Sequence, residues 1–250
     1  MERNSLNFAV SLSALFLLGL IVIPVVLLFL NLDWTQTERS LGEKEVWSAV
    51  WTSFKGAALS TAAGVVLGVP TAYWLTHAEF KGKALVESLI NLPVVIPHVA
   101  AGIILLKLFL TLKISIVDTI YAVIWAMFFV SVSYTVNAAL SGFRSVNPEL
   151  IWTARSLGAH PFQTFRLISL PLALPHIVRG ALLSFARAIS EVGALLIVAY
   201  YPKTAPILLY ERFENYGLSR ATPVAALILL LSFILFALIL SVQGWRERSA

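Results

Sequence analysis

Apolar residues along this chain come in long runs, and the polar residues that separate them fall in short clusters. No charged residue lies between Arg3 and Asp33, Lys55 and Glu79, Glu87 and Lys107, Asp118 and Arg144, or Arg220 and Arg246. Four of these windows exceed twenty residues, enough helix to cross roughly 30 Å of hydrocarbon. With the apolar stretch after Pro175, they predict an all-α integral membrane protein with six spans, at about 8–30, 51–76, 84–110, 119–140, 175–201 and 224–242. Residues 1–250 form one transmembrane domain, in which 141–174 is a long polar loop. The apolar core of the first span is too long for a cleaved leader and no small-residue cleavage site follows, so it reads as an uncleaved anchor. Residues 33–45 read as a polar connection. Residues 203–223 read as an outer loop, with Arg212 and Arg220 set against Glu211 and Glu214.

Composition agrees with a lipid solvent. The chain is 59% hydrophobic and 12% charged, far too apolar for a soluble domain of 250 residues. The absence of cysteine excludes disulfide and thiol chemistry. The net charge of +5 does not point to nucleic acid, because the basic residues are spread over the flanks of the spans and form no patch. Six spans put both termini on one side. With the N-terminus inside, the inner segments hold Arg3, Lys81, Lys83, Arg144, Arg155, Arg166, Arg246 and Arg248, eight basic residues against six in the outer ones. That bias puts both termini and the 141–174 loop in the cytoplasm.

Several residues inside the spans carry more than hydrophobicity. Gly56, Ser60, Gly64 and Gly68 recur every four residues, a small-residue ladder that admits another helix at close range. Pro93 and Pro97 each remove a backbone donor, so the third span is expected to kink, either as a wall of a translocation pathway or as a packing feature. His98 follows at once, as a relay or as a satisfied bundle histidine. Arg187 and Glu191, one helical turn apart, are the charges expected deep in lipid. They are candidates for a gate, or for a pair that merely neutralises itself. Lys55, Glu87 and Lys107 lie near span ends and are expected to snorkel.

The polar loop has an organisation of its own. Asn147 is suited to cap a helix that Pro148 can begin, and Gly158 can take the left-handed conformation that ends it. Pro161 can start a second helix, expected to stop before Pro171, and Pro175 opens the fifth span. The loop therefore reads as a helix–glycine–helix knuckle. No phosphate-binding GxxxxGK[ST], HExxH or GxSxG occurs, and no catalytic or metal-ligating set is expected. Nor is there the internal repeat expected of an ion-coupled secondary anion transporter.

The knuckle also carries a spaced pattern. Trp152-Thr153-Ala154, then Gly158 after three residues, then Ile168-Ser169-Leu170-Pro171 after nine more, resembles the EAA-x3-G-x9-I-x-LP signature of ABC importer permeases. Trp152 and Thr153 stand where that pattern has its acid and first alanine. Leu92–His98, Ser184–Pro202 and Tyr210-Glu211-Arg212 resemble the molybdate/tungstate permease group, archaeal type, with sulfate/thiosulfate permeases as the alternative. The resemblance implies a type I importer fold in the cell membrane and an oxyanion pathway operated by alternating access. It implies as partners a second copy of the chain, two ATPase subunits that bind ATP and Mg, and an extracytoplasmic oxyanion-binding protein. No cofactor and no catalysis are implied on this chain itself. Coupling to the ATPase would involve Glu149, Trp152, Ala154, Arg155, Leu157, Gly158, Ala159, Pro161, Phe162 and Phe165. Pro93, Pro97, His98, Arg187 and Glu191 remain the candidates for pathway or gate.

Overall fold

A computed structural model describes residues 2–247, and every regular element among them is helical. Arg248 lies outside the described residues, as do the side chains of Arg3 and Arg246. The chain divides into two compact units, one built from Met1–Val46 with Leu209–Ala250 and the other from Trp47–Leu208.

In the first unit, α1 (Glu2–Leu30) contains the apolar segment Val10–Leu30, whose most apolar window has none of its residues buried by protein. Such a surface is stable only against lipid. The expected polar connection at 33–45 is largely helical instead. Asp33 accepts a hydrogen bond from the Gln36 N–H at 3.1 Å and so caps α2 (Trp34–Gly42). The expected outer loop is also helical, as α11 (Ala205–Tyr216) and α12 (Leu218–Glu247), separated by Gly217. Arg212 finds partners at the end of α2 and just beyond it. It is buried and forms an ion pair with Glu43, with Glu45 at 3.9 Å and the Ser40 hydroxyl at 3.4 Å. Arg220 lies over the Tyr216 ring, one turn away.

The second unit contains most of α3 (Lys44–His77), then α4 (Lys83–Val95), α5 (His98–Thr111), α6 (Ile120–Arg144), α7 (Pro148–Ser156), α8 (Pro161–Thr164), a π-helical turn (Phe165–Ser169), α9 (Leu170–Ile189) and α10 (Leu195–Val198). The small-residue ladder of α3 packs on α6, as its spacing predicts. A Cβ at Gly56 would come within 2.8 Å of Met127 Sδ, one at Gly68 within 2.9 Å of Val136 Cγ2, and Ser60 is fully buried. The tightest approach is α9 on α6, where a Cβ at Gly180 would overlap Ala138 Cβ and lie 3.1 Å from the Tyr134 carbonyl oxygen. Gly180→Leu is therefore expected to cost at least ~2 kcal/mol through overpacking. Gly42→Leu, where nothing lies within 4 Å, should be near neutral. Thermal unfolding of the two purified variants, compared side by side, checks this.

Two expected spans differ from the structure. The third is not one kinked helix: α4 and α5 are separate and turn by 113° at Ile96 and Pro97. Ile96 closes α4 by donating to the Leu92 carbonyl and is itself extended, as a residue before proline must be. The fifth neither pauses at Pro171 nor starts at Pro175, because one continuous helix runs from Pro161 to Ile189. The π turn makes this possible. Leu170 N–H reaches back to the Phe165 carbonyl, and Pro171, without an N–H, falls in the first turn of α9. The same helix ends at Ile189, twelve residues short of the expected boundary at 201. The 161–174 half of the expected loop is thus the foot of a long helix. Among the described residues four helices are long and apolar enough to cross a membrane, five if the bent α4–α5 pair counts as one. The chain is a multi-pass membrane protein.

Candidate functional site

The knuckle is held by backbone chemistry at three points. The Asn147 side-chain oxygen accepts from the Glu149 N–H at 2.9 Å, with Pro148 as the first helical residue. At the other end of α7, Gly158 has φ +88°; its N–H donates to the Arg155 carbonyl and the Ala159 N–H to the Ala154 carbonyl, both at 3.0 Å. This is a Schellman closure, which ties the alanine and glycine of the spaced pattern to one turn. No atom lies within 4 Å of where a Gly158 Cβ would be, so φ rather than space requires glycine there. His160 then begins α8: its N–H donates to Gln163 Oε1 at 2.8 Å, and its Nδ1 accepts from the Phe162 N–H at 3.4 Å.

α7 and α8 fold back on the end of α3 and enclose a cleft of about 950 Å³. Trp152, Arg155, Pro161, Phe162 and Phe165 line it, opposite Tyr73 and His77 of α3. Tyr73 stacks edge-on against both Phe143 and Phe165, at 5.3 and 4.6 Å between centroids. Glu149, Leu157, Gly158 and Ala159 do not line the cleft; Ala154, Gly158 and Ala159 instead build the turn. Leu157, Trp152 and Phe162 are 84%, 66% and 63% exposed on a segment too polar to lie in lipid, so the knuckle presents apolar side chains where a protein surface could cover them. Tyr73, His77 and the His160 cap were not anticipated, because their roles depend on folding back rather than on local spacing.

The structure unites the candidates that the sequence left apart. Arg187 lies in the last turn of α9 and donates to Glu191 Oε2 at 2.7 Å. His98, the first residue of α5, lies 3.3 Å from the same oxygen and 2.7 Å from Arg187 Nη2. Glu191 is fully buried, and its other oxygen accepts the Ala194 N–H at 2.8 Å, which replaces the bond a continued helix would have made. Gly193 and Gly102 let these segments meet: a Cβ on the first would come 2.7 Å from His98 Cβ, and on the second 2.8 Å from the Ala194 carbonyl. Pro93 is buried within α4, and Pro97 caps α5 beside His98. The break in the third span and the charge pair of the fifth are therefore one cluster.

Glu87 corrects a further expectation. It does not simply snorkel: Arg144 of α6 donates to it at 2.7 Å. Asn137 donates to Asn91 Oδ1 at 2.5 Å, and Ser133 to the Ile90 carbonyl at 2.6 Å. Lys55 sits over the Trp51 ring. The four-residue spacing of Glu87 and Asn91, matched by the seven-residue spacing of Asn137 and Arg144, was the available signal for this polar seam.

Comparison with known proteins places this geometry. Residues 64–248 match the family model described as binding-protein-dependent transport system inner membrane component. The chain is 40% identical over 241 residues, 96% of either length, to the molybdate/tungstate transport system permease protein WtpB of Thermococcus kodakarensis. Against WtpB of Pyrococcus furiosus it is 40% identical over 251 residues, covering 100% of this chain and 99% of the relative. The sulfate transport system permease CysT of Synechocystis is 30% identical, over 94% of this chain and 88% of its own. In fold, the chain is similar to a bacterial ABC transporter involved in alginate import, with TM-score 0.74 at 16% identity over 99% of this chain and 96% of that one. It is similar also to the inward-facing MetNI methionine transporter, with TM-score 0.65 at 20% identity over 80% and 94%. The chain therefore belongs to the inner membrane components of binding-protein-dependent transport systems, the permeases of ABC transporters.

Proposed function

We propose that this chain is the permease subunit of an ATP-driven importer of a tetrahedral oxyanion, molybdate or tungstate. The observation that carries the reading is identity of 40% along nearly the whole of both chains to permeases named for those ions, against 30% for the sulfate permease. In this reading α12 completes six spans, both termini and the knuckle are cytoplasmic, and the chain works in the cell membrane as a homodimer. Two ATPase subunits holding ATP and Mg dock on α7 and α8, where Trp152, Leu157 and Phe162 are exposed, and an extracytoplasmic receptor delivers the anion. His98, Arg187 and Glu191 act as a gate between the bent third span and the end of α9.

Electrostatics favours this division of labour. Moving a dianion into a cell that is negative inside costs about 4.6 kcal/mol at 100 mV. Uptake of a scarce oxyanion thus needs an energy source, and capture belongs to a separate receptor. A pathway whose cations are neutralised, as Arg187 is by Glu191, releases what enters it. Nucleotide state, acting through the knuckle, then sets the balance between two conformations.

The test is uptake by vesicles in which the chain is reconstituted with the ATPase and receptor of its own system. ATP-dependent molybdate or tungstate uptake, at most weakly competed by tenfold excess sulfate, is expected. Strong competition by sulfate would move the assignment to the sulfate permeases. Uptake that survives ATP depletion and collapses with an ionophore would reject the ATP-driven reading altogether.

A further inference from the structure

An asparagine exposed on a membrane-spanning helix loses its hydrogen-bond partners unless protein or a water-filled space replaces them. Asn137 is such a residue. It is exposed on α6; its amide donates to Asn91 Oδ1, and its own side-chain oxygen accepts nothing from the described residues. Asn91 in turn donates to the Glu87 carbonyl at 2.8 Å. Seven residues past Asn137, about 10 Å along the helix, Arg144 holds the Glu87 carboxylate with half its side chain exposed. Ser88, Glu87 and Asn91 open onto a cleft of about 550 Å³. The opposite side of α4 differs in kind. Leu85 and Leu89, about 200° round the helix from Glu87 and Asn91, are 64% and 56% exposed. The cleft side is mixed, since Leu92 and Val95, 48% and 81% exposed, line it with Glu87, Ser88 and Asn91, so the polar side chains form a stripe along it.

We propose that the face of α4 and α6 carrying Glu87, Ser88, Asn91, Asn137 and Arg144 lines the aqueous route of the transported anion, with the Glu87–Arg144 pair as a latch at its knuckle end. The proposal rests on the permease reading and deepens it. Amide and guanidinium N–H groups are suited to a tetrahedral oxyanion, and the Glu87 carboxylate offsets Arg144 so that the anion is not retained. Arg144 also lines the cleft beneath α7 and α8, so one side chain borders both the knuckle and the route.

The chain has no cysteine, which makes single-cysteine labelling clean. Ser88→Cys and Asn137→Cys are compared with Leu89→Cys in the full-length chain, assembled with its partners in membrane vesicles. The probe is a membrane-impermeant charged methanethiosulfonate. Modification at least tenfold faster at 88 and 137 than at 89 is expected, slowed severalfold by molybdate and accelerated severalfold at 137 by Glu87→Gln. Ser88→Cys is nearly isosteric, so the comparison stands if Asn137→Cys misfolds. Labelling at 88 and 137 as slow as at 89 would overturn the proposal by assigning the face to lipid. A disulfide between two Asn137→Cys copies without reagent access would overturn it by assigning the face to a contact between copies. An unchanged rate in Glu87→Gln removes the latch. Fast labelling with no protection by molybdate or sulfate, in vesicles that take up neither anion, rejects the oxyanion reading; the same result in vesicles that do take up molybdate overturns this face as its route.

Discussion

Arg187→Ala is expected to cost about 3–5 kcal/mol of stability and to abolish transport. The loss does not come from one missing attraction. Glu191 is fully buried, and without the guanidinium it retains the Ala194 N–H and the half-exposed His98 as partners. A buried carboxylate with its strongest partner removed must stay charged at a desolvation cost or take up a proton. The double variant Arg187→Met with Glu191→Gln removes both charges, fills similar volume and keeps an acceptor for the Ala194 N–H, so it should recover most of the stability. It should not recover uptake if the cluster gates the pathway. Thermal unfolding of the purified chain and uptake by reconstituted vesicles measure the two effects separately. Wild-type values of both for Arg187→Ala would reject the prediction, whereas full uptake by the double variant would reduce the cluster to a structural role.

Gly158→Pro is the second large effect, and it should act on coupling rather than on insertion. Proline fixes φ near −65°, which is incompatible with the +88° at this position. It also removes the N–H that closes α7 on the Arg155 carbonyl. The Schellman turn is then lost, and α7 no longer holds its angle to α8. Transport-stimulated ATP hydrolysis is expected to fall at least tenfold while the amount of chain in the membrane stays within about twofold. Gly158→Asn tolerates the left-handed conformation and should retain most activity. Unchanged stimulated hydrolysis in Gly158→Pro would show that the angle between the two helices does not matter.

What the sequence made legible was local. Asn147, Pro148 and Gly158 act on backbone groups within five residues, and their roles follow from the chemistry of helix ends. The ladder of Gly56, Ser60, Gly64 and Gly68 defines a face by period alone. Pro93 and Pro97 announced a break, but the 113° turn depends on the neighbours that receive α5. Pro171 was misread because a local rule treats proline as a stop, whereas a π turn shifts the bonding by one residue and lets the helix pass. His98 and Arg187 meet across 89 residues, which no spacing rule anticipates; for Glu87 and Arg144, 57 apart, spacing marks a polar stripe on each helix but not which stripes meet. The short helices α2 and α11 read as loops because their polar faces outweigh the few residues they bury.

The unbroken helix from Pro161 to Ile189 has a mechanical consequence. Phe162, on the knuckle cleft, and Arg187, on the charge cluster, stand near opposite ends of one rod, about 38 Å apart at 1.5 Å per residue. A rod of that length tilted by about 5° displaces its far end by roughly 3 Å. His98, on α5, meets that end through side-chain contacts of 2.7 Å to Arg187 and 3.3 Å to Glu191, so a displacement of that size is enough to part them. The π turn sits near the knuckle end, where the proposed reading puts the pivot. In the proposed reading, leverage rather than a chain of side-chain rearrangements connects a partner gripping one end to a lock at the other.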